Sequence, residues 1–345
     1  MSHFCYLAYY REEDKTDKTN FFFDEDINGN DLIKLITPYL EKNNIQVIIN
    51  QVLVSAGIIE LCRHLKTRSN IKVINCHHNQ PDFPKYWKMP LRYKITEALY
   101  KIRKGYPSYA VPYRALYDNS HKFVLLSESF IPLAKICFGL KDASRLCAIS
   151  NPISAINEDD IIPFEKKKKQ FLIVSRLYEH QKNITSALRI WNKFEQINKD
   201  YSLIIAGIGP DEMILKEYSQ QLGNQRVSFI GHQSDPNRLY NESRFFMMTS
   251  TYEGFGMTLI EAQRYGCIPF VFDSYLSLHD IITNNVNGYI IKNRDEKGYL
   301  KAMNRAIGNN DISSISKNAI ANISRFDVNK IAKKWDSLID ELTNH

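Results

Sequence analysis

The sequence predicts an α/β protein with two doubly wound parallel sheets, one in each half of the chain. Short apolar runs rich in Ile, Val and Phe alternate with longer amphipathic segments, as in repeated strand–helix–strand units. After residue 170 the apolar runs are continuous, which is typical of parallel strands buried on both faces. A length of 345 residues also favours two domains over one.

The first half, residues 1–155, is predicted to form the first of these domains. Helices are expected over Leu32 to Lys42 and Phe130 to Phe138, where apolar residues recur at helical spacing. Five apolar runs are predicted to be strands: "CYLAYY", "IQVIIN", "IKVINC", "KFVLLS" and "LCAIS".

Residues 156–170 are predicted to be a linker, because Pro163 and the Lys166–Lys169 run interrupt regular structure there. We interpret the four lysines as solvated. Residues 171–325 form the second predicted domain, with strands at "FLIVS", "SLIIAG", "VSFIG", "RFFMMT" and "IPFVF". In residues 326–345 a terminal amphipathic helix carries Ile331, Trp335 and Leu338 on one face, and it is expected to pack back on the first domain.

Composition limits the class of protein. The 44% hydrophobic and 24% charged residues are ordinary for a globular protein, and the six cysteines include no C-x-x-C pair. The net charge of +7 suits a phosphate-bearing partner, although a mildly basic surface explains it equally well. The sequence begins without the pattern of a signal peptide and has no membrane-length apolar run, so a cytoplasmic location is expected.

Residues 88–105 interleave bases with apolar and aromatic residues. A surface helix packing by its aromatic side is one interpretation, and peripheral contact with an anionic membrane is another. Single-stranded nucleic acid ranks third, and we predict no nucleic-acid partner.

Candidate phosphate ligands follow two strands of the second half. Arg176 stands just past "FLIVS" and Lys182 at the expected start of the next helix, where two cations can clamp a diphosphate. Gly207 and Gly209 end the next strand, and they permit either close backbone approach to a ligand or a plain tight turn.

The stretch "STYEGFGMTLIEA" is the strongest candidate. Its strand is expected to end near Thr249 and its helix to begin near Met257, with Gly254 and Gly256 between them. The amides of residues 256–258 then face an anion at the helix N-terminus. Glu253 lies on the loop, and Glu261 lies about one turn inside the helix.

Taken together these motifs resemble retaining glycosyltransferases of family 4, which have the GT-B fold of two Rossmann-like domains facing a cleft. The resemblance covers residues 170–342. It rests on Arg176 with Lys182, on Gly207-x-Gly209-Pro210, on Glu253-x7-Glu261 and on "NGYII". One departure is Asp280, which stands where the family usually has a glutamate.

The resemblance implies a role for each matched residue. Arg176 and Lys182 would bind the donor diphosphate, Glu253 the transferred sugar and Glu261 the ribose. It also implies catalysis without a metal or cofactor and a UDP-sugar donor more readily than a GDP-sugar. The donor-binding set is Arg176, Lys182, Gly207, Gly209, Glu253, Gly254, Phe255, Gly256, Met257, Thr258 and Glu261.

The first half resembles the family more loosely. His77, His78 and Asn79 end a predicted strand where the family commonly has a histidine facing the donor sugar, and His78 fits better than His77. With Ser127 they form the predicted acceptor side, and His78 joins Glu253, Lys182 and Arg176 as the catalytic candidates. No G-x-G-G run precedes "HFCYLAYY", so we expect the family's usual first strand and glycine-rich loop to be lacking.

The resemblance therefore implies a bacterial hexosyltransferase-type enzyme of envelope polysaccharide or lipopolysaccharide synthesis. It would be cytoplasmic or peripheral at the inner membrane face, with a glycan or lipid-linked acceptor. Three alternatives stay open: a nucleotide-sugar epimerase of the same fold, a silent nucleotide-sugar-binding protein, and a glycoside hydrolase using paired glutamates. Asp24-x-Asp26 also has the form of a metal-binding pair, although a solvated turn explains it.

Overall fold

The computed structural model describes residues 6–9, 20–23, 27–51, 54–82 and 91–344, which form two compact units. Residues 1–149 and 333–345 belong to the first unit and residues 150–332 to the second. Asp24 and Asp26 lie outside the described residues, as do residues 88–90 of the basic segment.

The first unit contains a parallel sheet of four strands in the order β3-β4-β5-β6 and a parallel pair, β1-β2. The strands are β1 Tyr6–Tyr9, β2 Asn20–Phe23, β3 Val47–Asn50, β4 Lys72–His77, β5 Lys122–Leu125 and β6 Leu146–Ala148. All five strands predicted in this half are present, and β2 was not predicted. The helices are α1 Gly29–Lys42, α2 Ala56–Arg68, α3 Leu91–Lys104, α4 Val111–Asp118 and α5 Phe130–Cys137.

Side-chain caps explain where two of these helices begin. The Asn28 side chain accepts from the amide of Asp31 at the start of α1, and the Ser55 hydroxyl accepts from the amide of Ile58 at the start of α2. Each cap satisfies an amide that lacks an intrahelical acceptor.

The second unit is built on a six-stranded parallel sheet in the order β12-β11-β10-β7-β8-β9. Its strands are β7 Lys168–Val174, β8 Ser202–Ala206, β9 Val227–Phe229, β10 Ser243–Met248, β11 Ile268–Asp273 and β12 Tyr289–Lys292. The helices are α6 Glu179–Lys182, α7 Ile184–Ile197, α8 Glu212–Gln221, α9 Asn237–Glu242, α10 Met257–Arg264, α11 Leu278–Ile281, α12 Glu296–Ile307 and α13 Ile312–Ile323. The prediction of an α/β chain with parallel sheets is confirmed.

Aromatic side chains fill the core of the second unit because the central strands are buried on both faces. Phe171 of β7 and Phe245 of β10 are register partners, and their rings stack with centroids 4.7 Å apart. Phe270 of β11 stacks on Tyr289 of β12 at the same distance. The first contact fixes β7 against β10 at the centre of the sheet, and the second fixes β11 against β12.

The predicted linker differs from the structure at its lysines. Strand β7 begins at Lys168, and Lys167 is only 4% exposed, so the interpretation of a solvated run is wrong there. The Lys167 ammonium donates to the carbonyl of Asn241, and burial lowers the pKa of Lys167 to about 8. Lys168 and Lys169 instead pair with Glu242 and Asp200.

The last helix, α14, spans Val328–Thr343, close to the predicted bounds. Ile331 and Leu338 are buried, as their spacing predicts. In the part of the chain that the structure describes, no helix combines the length and apolar character needed to cross a bilayer.

Candidate functional site

The strand order of the second unit places a topological switch point between β7 and β10. From β7 the chain proceeds to β8 and β9 on one side, whereas from β10 it proceeds to β11 and β12 on the other. In open parallel sheets ligands bind beyond the carboxyl ends of the strands at this point. Residues 175–183 follow β7 and residues 249–256 follow β10, so these two segments flank the expected site.

Hydrogen bonds tie the two segments together. The Thr251 amide donates to the carbonyl of Gln181 at 2.7 Å, and the Thr249 hydroxyl donates to the carbonyl of Asn183 at 2.9 Å. The Asn183 amide group returns a bond to the Thr249 carbonyl at 3.1 Å. These bonds hold the backbone on either side of Lys182 and next to Glu253.

Lys182 and Glu253 form an ion pair at the switch point. The Lys182 Nζ lies 2.7 Å from Glu253 Oε1, and the two side chains are 15% and 9% exposed. Lys182 ends the short helix α6, and α7 begins after the left-handed Asn183, so the expectation that Lys182 starts a helix is wrong. The predicted phosphate ligand and the predicted sugar ligand therefore lie side by side, 71 residues apart in sequence.

Arg176 presents a second cation beyond the same strand. Its side chain is exposed, with Cζ 6.0 Å from the centre of the Tyr178 ring. Within the described residues no acidic side chain forms an ion pair with it, so its bidentate donors are available to an anion.

Gly207 and Gly209 are explained by the close approach of two backbones. A Cβ at Gly207, whose φ is +136°, would lie 1.8 Å from the Ser175 carbonyl oxygen. A Cβ at Gly209 would lie 2.2 Å from the carbonyl oxygen of Leu177. Side chains are excluded at both positions even without a ligand, so packing of the β7 and β8 ends is a sufficient reason for these glycines.

The α10 N-terminus has the predicted form. Gly256 precedes the helix with φ of +96°, and the helix begins at Met257. The first amides of a helix have no intrahelical acceptor, so those of residues 256–258 are suited to an anion. Phe255 is buried with its ring 5.7 Å from that of Phe326, and therefore only its backbone, like that of Gly254, is suited to ligand contact.

Glu261 has a partner that the sequence did not indicate. The Tyr240 hydroxyl, on α9, donates to Glu261 Oε2 at 2.8 Å. Tyr240 is fully buried, whereas Glu261 is partly exposed. No sequence signal identifies the carboxylate that the Tyr240 hydroxyl meets.

The predicted acceptor-side residues lie at the carboxyl edge of the first sheet. His77 ends β4, is 5% exposed, and packs edge-on against Tyr113 at 4.6 Å and Phe138 at 5.9 Å. Burial lowers the pKa of His77 to about 4, so its ring is a neutral core group. This leaves His78 as the available histidine of the pair. His78 is half-buried, its Nε2 lies 2.9 Å from Gln51 Oε1, and burial lowers its pKa.

Asn79 and Ser127 complete this edge. Asn79 is exposed directly after the histidines, while Ser127 is buried with its hydroxyl 2.7 Å from that of Ser129. Because β4 and β5 are neighbouring parallel strands, their following residues share one edge of the sheet. The ligand roles of these residues stay predictions.

Comparison with known proteins identifies the second unit. Residues 155–324 match the family model described as glycosyl transferases group 1. The chain is 25% identical over 228 residues to an amylovoran biosynthesis glycosyltransferase, AmsD, of Erwinia amylovora, covering 65% of this chain and 63% of that protein. It is 28% identical over 172 residues to the lipopolysaccharide 1,6-galactosyltransferase of Escherichia coli, covering 48% and 46%. The chain thus spans less than two thirds of the length of these curated relatives.

Solved structures extend the similarity over both units. The lipopolysaccharide outer core galactosyltransferase WaaB in its apo form has a TM-score of 0.68 at 19% identity, covering 94% of this chain and 84% of that one. Anabaena Alr3699/HepE in complex with UDP has a TM-score of 0.71 at 16% identity, covering 93% and 86%. The chain therefore carries a glycosyl transferases group 1 domain over residues 155–324 and has the GT-B fold.

Proposed function

We propose that this protein is a retaining glycosyltransferase that moves a sugar from a nucleotide-diphosphate sugar to a glycan or lipid-linked acceptor. The observation that carries the proposal is the Lys182–Glu253 pair at the switch point, beside the open N-terminus of α10. A cation, a helix terminus and a carboxylate at one strand end suit the phosphates and hydroxyls of a sugar nucleotide. The similarity to amylovoran and lipopolysaccharide transferases supports a role in bacterial envelope polysaccharide synthesis.

Charge stabilisation is the main chemical task of the proposed site. As the bond between sugar and phosphate breaks, negative charge grows on the departing nucleoside diphosphate. Arg176, Lys182 and the first amides of α10 supply positive charge there without a metal ion. Glu253 then holds hydroxyls of the transferred sugar, and Glu261 holds the ribose. UDP is the favoured nucleotide, because similar folds bind UDP in solved complexes.

The proposal includes peripheral contact with an anionic membrane through residues 88–105. On α3, Leu99 is 63% and Ile102 is 82% exposed, and Lys101, Arg103 and Lys104 are exposed beside them. Apolar residues flanked by bases are typical of a helix that lies in the lipid interface. This surface suits an enzyme that works on a lipid-linked acceptor at the cytoplasmic face of the inner membrane.

Vesicle flotation tests this contact. Leu99→Ser/Ile102→Ser should reduce binding to vesicles containing anionic lipid by about 30-fold or more, since each of the two buried apolar side chains contributes about 1 kcal/mol or more. Ile197→Ser is the matched control, because Ile197 is 73% exposed on α7 of the other unit. Equal flotation of the wild type and the double variant would exclude α3 as the contact.

Nucleoside diphosphate release tests the enzymatic proposal. The protein is incubated with UDP-sugars and GDP-sugars, with and without acceptor extract. Transfer requires the acceptor, an epimerase converts the sugar without one, and a silent binder retains nucleotide without turnover. Lys182→Ala should lower the transfer rate about 100-fold or more, because it removes a cation from the developing charge. Lys216→Ala is the control, since Lys216 pairs with Glu212 on the surface of α8.

A further inference from the structure

The Tyr240 hydroxyl makes a contact that the proposed chemistry leaves unexplained. Its bond to Glu261 Oε2 is 2.8 Å long and connects α9 to α10. The ring is fully buried beside Phe246, with centroids 5.9 Å apart, so the hydroxyl has little freedom to turn elsewhere. Glu261, in contrast, is partly exposed. The carboxylate is thus held from the inside and open on its other side.

Glu261 retains most of its capacity to accept hydrogen bonds. A carboxylate has about four lone-pair positions, and the Tyr240 hydroxyl occupies one. Within the described part of the chain, Tyr240 is the one side chain bonded to this carboxylate, and no Lys, Arg or His forms an ion pair with it. A carboxylate that is held in place and is not paired with a cation is suited to bind two adjacent hydroxyl groups, because both hydroxyls can donate to it.

We infer that Tyr240 is a positioning residue which orients the Glu261 carboxylate toward the 2′ and 3′ hydroxyls of the nucleotide ribose. The inference rests on the proposed function, because it takes the ribose of a nucleoside diphosphate as the ligand of Glu261. Tyr240 acts through Glu261 and does not itself touch the nucleotide.

The chemistry of a phenol suits this task better than that of a cation. A lysine at the same place would neutralise Glu261 and weaken its bonds to ribose, whereas a phenol orients the carboxylate and leaves its charge intact. Burial and the charge of Glu261 raise the pKa of Tyr240 well above 10. The phenol therefore keeps its proton at every working pH and always donates.

A pair of nucleotides that differ only in the ribose tests the inference. Dissociation constants are measured by calorimetry for UDP and for 2′,3′-dideoxyuridine diphosphate, and likewise for GDP and its dideoxy analogue. We expect the wild type to prefer the complete ribose about 10- to 100-fold, the range for hydrogen bonds to a charged group. Tyr240→Phe should reduce this preference about three- to tenfold and leave affinity for the dideoxy nucleotide unchanged.

Two further variants separate positioning from stability. Tyr299→Phe is the matched control, because Tyr299 is also fully buried and donates one bond, 2.6 Å long, to the carbonyl of Phe270. It should lower the melting temperature as Tyr240→Phe does, yet keep the full ribose preference. Glu261→Gln should reduce the preference further, and adding Tyr240→Phe to it should have no additional effect on that preference.

The outcomes distinguish failure of the positioning role of Tyr240 from failure of the proposed function. If Tyr240→Phe retains the wild-type preference, or weakens both nucleotides equally, the positioning role is overturned while the proposed function stands. If the wild type binds neither UDP nor GDP, the proposed function fails and this inference fails with it.

Discussion

Replacing Glu253 by glutamine isolates the charge of one side chain at the centre of the proposed site. Glutamine keeps the shape of glutamate and one oxygen that accepts a bond from Lys182, but it removes the negative charge. Lys182 Nζ lies 2.7 Å from Glu253 Oε1. A nucleotide diphosphate that takes Lys182 as a ligand has to share this cation with Glu253. Removing the charge should therefore strengthen diphosphate binding.

The geometry sets the size of the effect. Two unit charges 2.7 Å apart attract by about 6 kcal/mol at an effective dielectric constant of about 20. Desolvation of the two nearly buried groups offsets much of this, leaving a net value of about 1.5–3 kcal/mol, as for other hydrogen bonds to charged groups. We expect Glu253→Gln to lower the free energy of unfolding by about 2 kcal/mol. If about half of this net interaction passes to the diphosphate, UDP should bind about 4- to 13-fold more tightly.

Glu253→Gln should change UDP binding and sugar transfer in opposite directions. Calorimetry should show the tighter UDP binding, while transfer from the sugar nucleotide should fall about 100-fold because the sugar loses its carboxylate ligand. Glu296→Gln is the matched control, since Glu296 Oε1 lies 2.5 Å from Arg189 Nη2 between α12 and α7 of the same unit. That control should lose stability without a change in UDP affinity. Unchanged or weaker UDP binding by Glu253→Gln would show that Glu253 does not compete with the diphosphate for Lys182.

Two further predictions concern stability. Gly207→Ala should lower the free energy of unfolding by about 3 kcal/mol, because its Cβ would lie 1.8 Å from a backbone oxygen. Gly223→Ala should lower it by only about 1 kcal/mol, because φ there is +75° but a Cβ would meet nothing within 4 Å. Urea denaturation of both variants measures the difference. The pKa of His77 falls from about 6.5 to about 4 on folding, so the folded state resists protonation and stability is lost as the pH falls from about 6.5 toward 4. Over that range the wild type should lose about 3 kcal/mol more than His77→Gln in urea titrations, and equal losses would contradict the assignment.

The fold could be predicted from the sequence where burial dominates. Strands of the second unit are buried on both faces, so their runs are continuously apolar and their positions are plain; β8 and β11 begin at the predicted residues. Strand β2 was missed because "NFFF" adjoins a polar stretch that indicated a turn. Lys167 was wrongly predicted to be exposed because a run of four lysines is typical of a solvent-exposed segment. The Lys167 ammonium instead donates to the Asn241 carbonyl inside the protein.

The sequence did not predict which polar side chains pair with each other across distant elements. The segments carrying Lys182 and Glu253 were predicted to lie near the same strand ends, but their direct pairing depends on the adjacency of β7 and β10, which strand spacing does not reveal. Tyr240 was missed because its hydroxyl meets Glu261 through the contact of α9 with α10. Sequence patterns report burial and turns well, and they do not report which polar groups meet across elements.

The two glutamates are alike in sequence and different in their surroundings. Glu253 is nearly buried against the cation Lys182, so its charge is already compensated before a ligand arrives. Glu261 is bonded to the neutral Tyr240 hydroxyl, so its charge remains available to a hydroxyl-bearing ligand. It follows that neutralising the two residues should shift UDP affinity in opposite directions, stronger for Glu253→Gln and weaker for Glu261→Gln. A mechanism in which the pair exchanged a proton as general acid and base would give no reason for opposite signs, because UDP alone undergoes no reaction.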